Sequence, residues 1–78
     1  MYREGKTRDE LKAIVLSEIN QLGFPSVSDV QIYRVTDLRA DFNWSLGPIA
    51  LGNEDEKSVT RAVGLLLRRL RERYELID

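Results

Sequence analysis

The sequence predicts an α+β fold: a two-layer sandwich in the order α-β-β-(β)-α, with two helices packed on one face of a small antiparallel sheet. Three observations predict it. Across residues 59–77, Val59, Val63, Leu66, Leu70, Tyr74 and Ile77 fall in one narrow stripe at about 100° per residue, the signature of a long amphipathic helix. Residues 7–22 carry a second helical pattern behind an N-terminal cap. Residues 40–46 alternate apolar and polar side chains, which is strand periodicity. A helix that is apolar along one edge has to lie on another layer, and two such helices can cover one face of a small sheet.

Residues 1–6 read as a flexible leader, and residues 7–78 as a single α+β domain. The first helix opens with Thr7-Arg8-Asp9-Glu10, which fits a capping box with Thr7 as N-cap. Asp9 and Glu10 suit the positive end of the helix dipole. Leu11, Ile14, Val15, Ile19 and Leu22 form its apolar stripe. Gly23 is placed to take a left-handed conformation, Phe24 to fold back on the helix, and Pro25 to prevent continuation.

Residues 30–35 are rich in β-branched and aromatic types and read as the first strand. In residues 40–46, Phe42, Trp44 and Leu46 share one face, while Asp41, Asn43 and Ser45 share the other. The connection over residues 36–39 is short enough for a hairpin. Gly47-Pro48 is expected to break the second strand. Two readings stay open for Ile49-Ala50-Leu51: a brief third strand or a buried loop. Asn53 is expected to cap the second helix, with Glu56 completing a second capping box. That helix gathers acidic residues in its first turn and arginines in its last turns, in step with its dipole.

Composition narrows the chemistry. Seventy-eight residues suffice for one domain with a small core, which self-association would help to stabilise. The sequence contains neither cysteine nor histidine. Disulfides, thiolate chemistry, a structural zinc site and the usual serine-hydrolase relay are therefore not expected, and no cofactor or metal is assigned. The net charge of -1 gives no global attraction to nucleic acid or to an anionic membrane. No signal-peptide core or membrane-length apolar run is present, so a soluble, cytoplasmic protein is the expectation.

Four groups of residues are candidates for function. Arg61, Arg68 and Arg71, with Arg69, Arg73 and Lys57 nearby, suit a phosphate-contacting ridge, Arg68 and Arg71 pointing outward. The same cations suit a helix C-terminus, and Glu72 and Glu75 are spaced to pair with Arg68 and Arg71. Glu18 falls inside the apolar stripe of the first helix, where a carboxylate is paired, desolvated or turned to water at the stripe's edge. No catalytic partner accompanies it. Tyr33 and Trp44 suit base stacking only if both rings share an open face, and the alternation puts Trp44 in the core. Leu16 and Leu65 lie off their helices' stripes, and Ala62 with Leu65 forms a small apolar patch beside Gly64 suited to a second chain.

The element order is similar to that of double-stranded-RNA-binding domains, which run helix, three strands, helix. Those domains present lysines at the start of the last helix. Here Asn53-Glu54-Asp55-Glu56 stands in that place and would repel phosphate, so the similarity is one of topology only. The expected function is a small non-catalytic interaction module, self-associating or binding another protein through Leu16, Ala62 and Leu65. The alternative is nucleic-acid binding through Arg61, Arg68 and Arg71; catalysis by Glu18 stands third.

Overall fold

A computed structural model describes residues 3–77. The element order is β1 (Glu4–Lys6), α1 (Arg8–Gln21), β2 (Asp29–Arg34), β3 (Trp44–Ala50), α2 (Glu56–Arg73) and β4 (Tyr74–Leu76). The chain is thus a small α+β fold with two helices, and its strands pair both antiparallel and parallel.

The start of α1 follows the sequence closely. The Glu10 amide donates to Thr7 Oγ1 at 3.2 Å, and the Thr7 amide donates to Glu10 Oε1 at 2.9 Å. Leu11, Val15 and Ile19 are fully buried, while Ile14 and Leu16 pack partly on the core. At the other end Gly23 takes φ +104° and reverses the chain. Phe24 then packs against the core, and Leu22 is left 46% exposed. Lys12 reaches Asp29 at 2.9 Å and ties α1 to the first residue of β2.

The hairpin departs from the expected boundaries. Strands β2 and β3 pair antiparallel, with Arg34 opposite Trp44 and Asp29 opposite Ala50. The ladder closes where the Val35 amide donates to the Asn43 carbonyl at 2.9 Å, so Phe42 belongs to the connecting loop and not to a strand. Gly47-Pro48 does not end the strand. The register runs from Ile32↔Leu46 to Val30↔Ile49, so β3 carries one extra residue opposite Gln31. A bulge of this kind accommodates a proline, which has no amide to give to the ladder. Ile49 and Ala50 therefore continue β3 and form no separate third strand.

The leader expected over residues 1–6 is a strand over Glu4–Lys6, paired in parallel with β4. Met1 and Tyr2 lie outside the described residues. The same pairing corrects the end of the second helix. It stops at Arg73, and Tyr74 is extended at φ -129°, ψ 148°. Backbone groups that a longer helix would use are taken elsewhere. Asn43 brackets Leu76, its Nδ2 donating to the Leu76 carbonyl at 2.7 Å and its Oδ1 accepting from the Leu76 amide at 2.9 Å. Strand parity then replaces helical periodicity, so Leu76 is buried and Ile77 is 60% exposed. Gly5 permits this approach, because a Cβ there would sit 2.6 Å from Ile77 Cγ2.

The cap of α2 also shifts. Asp55, not Asn53, is the N-cap, and its carboxylate accepts from the Ser58 amide at 3.0 Å. Gly52 at φ +62° and a Glu54 amide bonded to the Leu51 carbonyl form a turn that delays the helix start past Asn53. Glu54 serves instead as acceptor for the Ser26 amide at 3.0 Å.

One apolar core joins Leu11, Val15 and Ile19 of α1 to Val59, Val63, Leu66 and Leu70 of α2, with Val30, Ile32 and Trp44 of the hairpin. Trp44 is completely buried and its indole Nε1–H donates to the Tyr74 carbonyl at 3.0 Å. Trp44→Ala should cost about 3–5 kcal/mol in urea denaturation. Trp44→Phe should still lose stability, because it leaves the Tyr74 carbonyl without its donor. Hydrogen bonds from Thr7, Lys12 and Ser58 hold the carboxyls of Glu10, Asp29 and Asp55 below their ordinary values. Their folded values lie below the unfolded ones, so the stability they contribute is full above the ordinary carboxylate range. It is lost as pH falls through the folded values. Thermal melts should therefore show a midpoint that drops on acidification, and Glu10→Gln should flatten part of that drop.

Candidate functional site

Where the last turns of α2 meet the hairpin, the bulge-free end of β3 offers two acceptors. One is the Trp44 carbonyl and the other is the Ser45 hydroxyl. Arg71 turns toward them. Its Nε–H donates to the Trp44 carbonyl at 3.3 Å and its Nη2 donates to Ser45 Oγ. Its Cζ lies 3.7 Å from the centroid of the Phe42 ring, a cation–π stack. Arg71 is thus half-buried rather than outward-pointing, and burial pulls its guanidinium below the ordinary arginine value, with Tyr33 acting in the opposite sense. It remains a cation at any physiological pH.

None of the carboxylates among the described residues pairs with Arg71. The expected Glu75–Arg71 pair is absent because Glu75 sits on β4 and not on a continuing helix. Arg68 and Glu72 also make no ion pair among the described residues. Arg68 is exposed, and the two side chains line the same groove as Arg71.

That groove encloses about 880 Å³ between the outer side of α2 and the turn at residues 41–42. Gly64, Leu65, Arg68, Arg71 and Glu72 form its helical wall, and Arg3, Asp41 and Phe42 form the opposite one. A second hollow of about 470 Å³ lies under the loop of residues 34–43 and shares Arg3, Asp41 and Phe42 with the first. Leu65, 69% exposed, stands on the wall of the first, and Leu38, fully exposed, on that of the second.

The structure sorts the residues singled out from the sequence. Arg68 and Arg71 come together on the groove. Arg61 is exposed and lines a separate hollow with Glu56, Lys57 and Thr60, nearer the start of α2. Leu65 faces the groove, whereas Ala62 is half-buried and Leu16 packs against the core. Those three do not share one exposed patch. Glu18 is half-buried, forms no ion pair among the described residues and lines none of the three hollows. Tyr33 is 49% exposed while Trp44 is buried, so the two rings form no stacking platform.

Phe42, Ser45, Arg3 and Asp41 are the participants that sequence reasoning missed. Strict alternation placed Phe42 beside Trp44 in the core, but the ladder closes one residue earlier and frees the ring to lie under Arg71. Among the described residues no cluster of acidic side chains could hold a metal ion, and no helix is long and apolar enough to cross a membrane. No protein-family model, no curated protein and no solved structure matches this chain.

Arg71→Met should cost about 1.5–3 kcal/mol, toward the lower end because one edge of the guanidinium stays in water. Arg68→Met should leave the denaturation midpoint in place, since Arg68 makes no contact the fold needs.

Proposed function

We propose that the chain is a small non-catalytic interaction module that binds another polypeptide through the outer side of α2. Two helices forming a single layer over one face of the hairpin would leave that side uncovered. In support of that layering, both helices share one core with Val30, Ile32 and Trp44. The observation that carries the reading is Leu65, 69% exposed on the wall of a groove that also holds an aromatic ring and an ordered arginine. Aromatic, arginine and apolar side chains are the types that anchor protein interfaces.

Gly64 points the same way. It lies inside a helix, where glycine is unfavourable by about 1 kcal/mol relative to alanine. A Cβ at this position would meet nothing within 4 Å, so no neighbour in the fold requires the glycine. Its bare backbone suits close approach from outside. Nucleic acid is a poorer fit to this face. Arg61 lies apart, Arg71 is held by the hairpin, and Asp41 and Glu72 stand inside the groove. A cytoplasmic setting fits a chain without cysteine.

A peptide-display selection on the intact chain, with Leu65→Asp as the counter-target, tests the reading. Sedimentation equilibrium of both proteins adds the case in which the partner is a second copy. The expected result is peptide binding or self-association that Leu65→Asp removes while the thermal midpoint holds. A wild type that stays monomeric and yields no Leu65-dependent peptide contradicts the proposal.

A further inference from the structure

Arg71 presents one edge to the hairpin and the other to the groove. Two of a guanidinium's five N–H donors are engaged, by the Trp44 carbonyl and by Ser45 Oγ. Three donors make no bond among the described residues, and two of them, one on Nη1 and the outer hydrogen of Nη2, lie parallel on one edge. Nη1 makes no hydrogen bond among the described residues and is not buried, and Arg71 lines the groove, so this edge is open to it. The Phe42 ring and the two bonds to β3 fix the plane of the guanidinium before anything binds. Such pre-ordering removes much of the entropy cost that an arginine normally incurs on binding.

The charges around this edge limit what it can hold. Arg3, Arg68 and Arg71 contribute three positive charges to the groove, and Asp41 and Glu72 contribute two negative ones, a balance of one positive charge. A single carboxylate neutralises that balance and matches the two parallel N–H groups of the free edge. A dianionic phosphate or a polynucleotide would bring excess negative charge against Asp41 and Glu72. Leu65 on the same wall supplies an apolar contact beside the charged one.

We propose that the groove between Phe42 and α2 is a carboxylate-recognition site, in which Arg71 receives one acidic side chain or C-terminus of a partner polypeptide and Leu65 receives an apolar neighbour. The identity of the carrier rests on the interaction-module reading above; the site itself rests on the free guanidinium edge and the charge balance.

Phenylacetate, a carboxylate on an apolar ring, is the probe. It is titrated into isotopically labelled full-length chain while side-chain N–H signals of the arginines and amide signals of Phe42 and Leu65 are followed. Phenylacetamide has the same shape without the charge. Inorganic phosphate and an oligothymidylate are the two polyanion arms. The expected result is saturable movement of the Arg71, Phe42 and Leu65 signals by phenylacetate at about 1–30 mM. Phenylacetamide should bind at least about tenfold more weakly. Arg71→Lys should abolish the effect. Arg68→Gln and Arg3→Gln keep the test independent of folding: each should weaken phenylacetate about threefold with no change in thermal midpoint. Equal response to phenylacetamide, no saturation, or tighter binding of phosphate or oligothymidylate at the same signals overturns the proposal. Leu65-dependent peptides that lack any acidic group would sink the carboxylate site and leave the module reading intact. Phenylacetate binding without any Leu65-dependent peptide or self-association would do the reverse.

Discussion

The buried indole of Trp44 is the constraint on which the other contacts depend. A tryptophan with no solvent access must place its N–H on an acceptor inside the protein. Here that acceptor is the Tyr74 carbonyl. The bond fixes where α2 has to stop and sets Tyr74 in the extended conformation from which β4 begins. Residues 4–6 then find a strand edge to pair with. The Trp44 carbonyl, on the same residue, receives Arg71 Nε and so fixes the guanidinium. One residue thereby links the core, the pairing of β1 with β4 and the candidate site.

Features that depend on neighbours in sequence were legible. The Thr7–Glu10 box, the positive φ of Gly23 and the buried positions of α1 follow from spacing alone, because each is settled within a turn or two of chain. The first four members of the α2 stripe were legible for the same reason. Features settled by distant partners were not. Glu4-Gly5-Lys6 has no strand character of its own and becomes a strand only because β4 lies beside it. Tyr74 and Ile77 fit the helical stripe equally well, and the bonds from Trp44, Asn43 and β1 decide against it. Gly47-Pro48 reads as a break, yet a bulge lets the strand run through.

The site shows the same division. A run of arginines near a helix end is visible in the sequence, but its members meet different fates. Arg61 is isolated, Arg68 is solvated and Arg71 is built into the junction between α2 and the hairpin. Nothing in the residue order separates them, since the difference comes from a serine and a phenylalanine more than two dozen positions away. Of these three arginines, Arg71 is the one whose orientation is held by bonds to the hairpin. That orientation, rather than the number of charges, is what gives the groove a chemical preference. Leu65 adds the apolar surface that makes such a groove suited to a polypeptide.

The most direct measurement of this account is the nuclear magnetic resonance signature of the Arg71 side chain in the free protein. A guanidinium stacked on Phe42 and bonded through Nε to the Trp44 carbonyl should show side-chain protons shifted by the ring current. Its Nε–H should exchange with water more slowly than those of Arg61 and Arg68. Phe42→Ala should erase the ring-current shift while the protein stays folded. Arg71 signals that coincide with those of the exposed arginines, and exchange as fast, would contradict it.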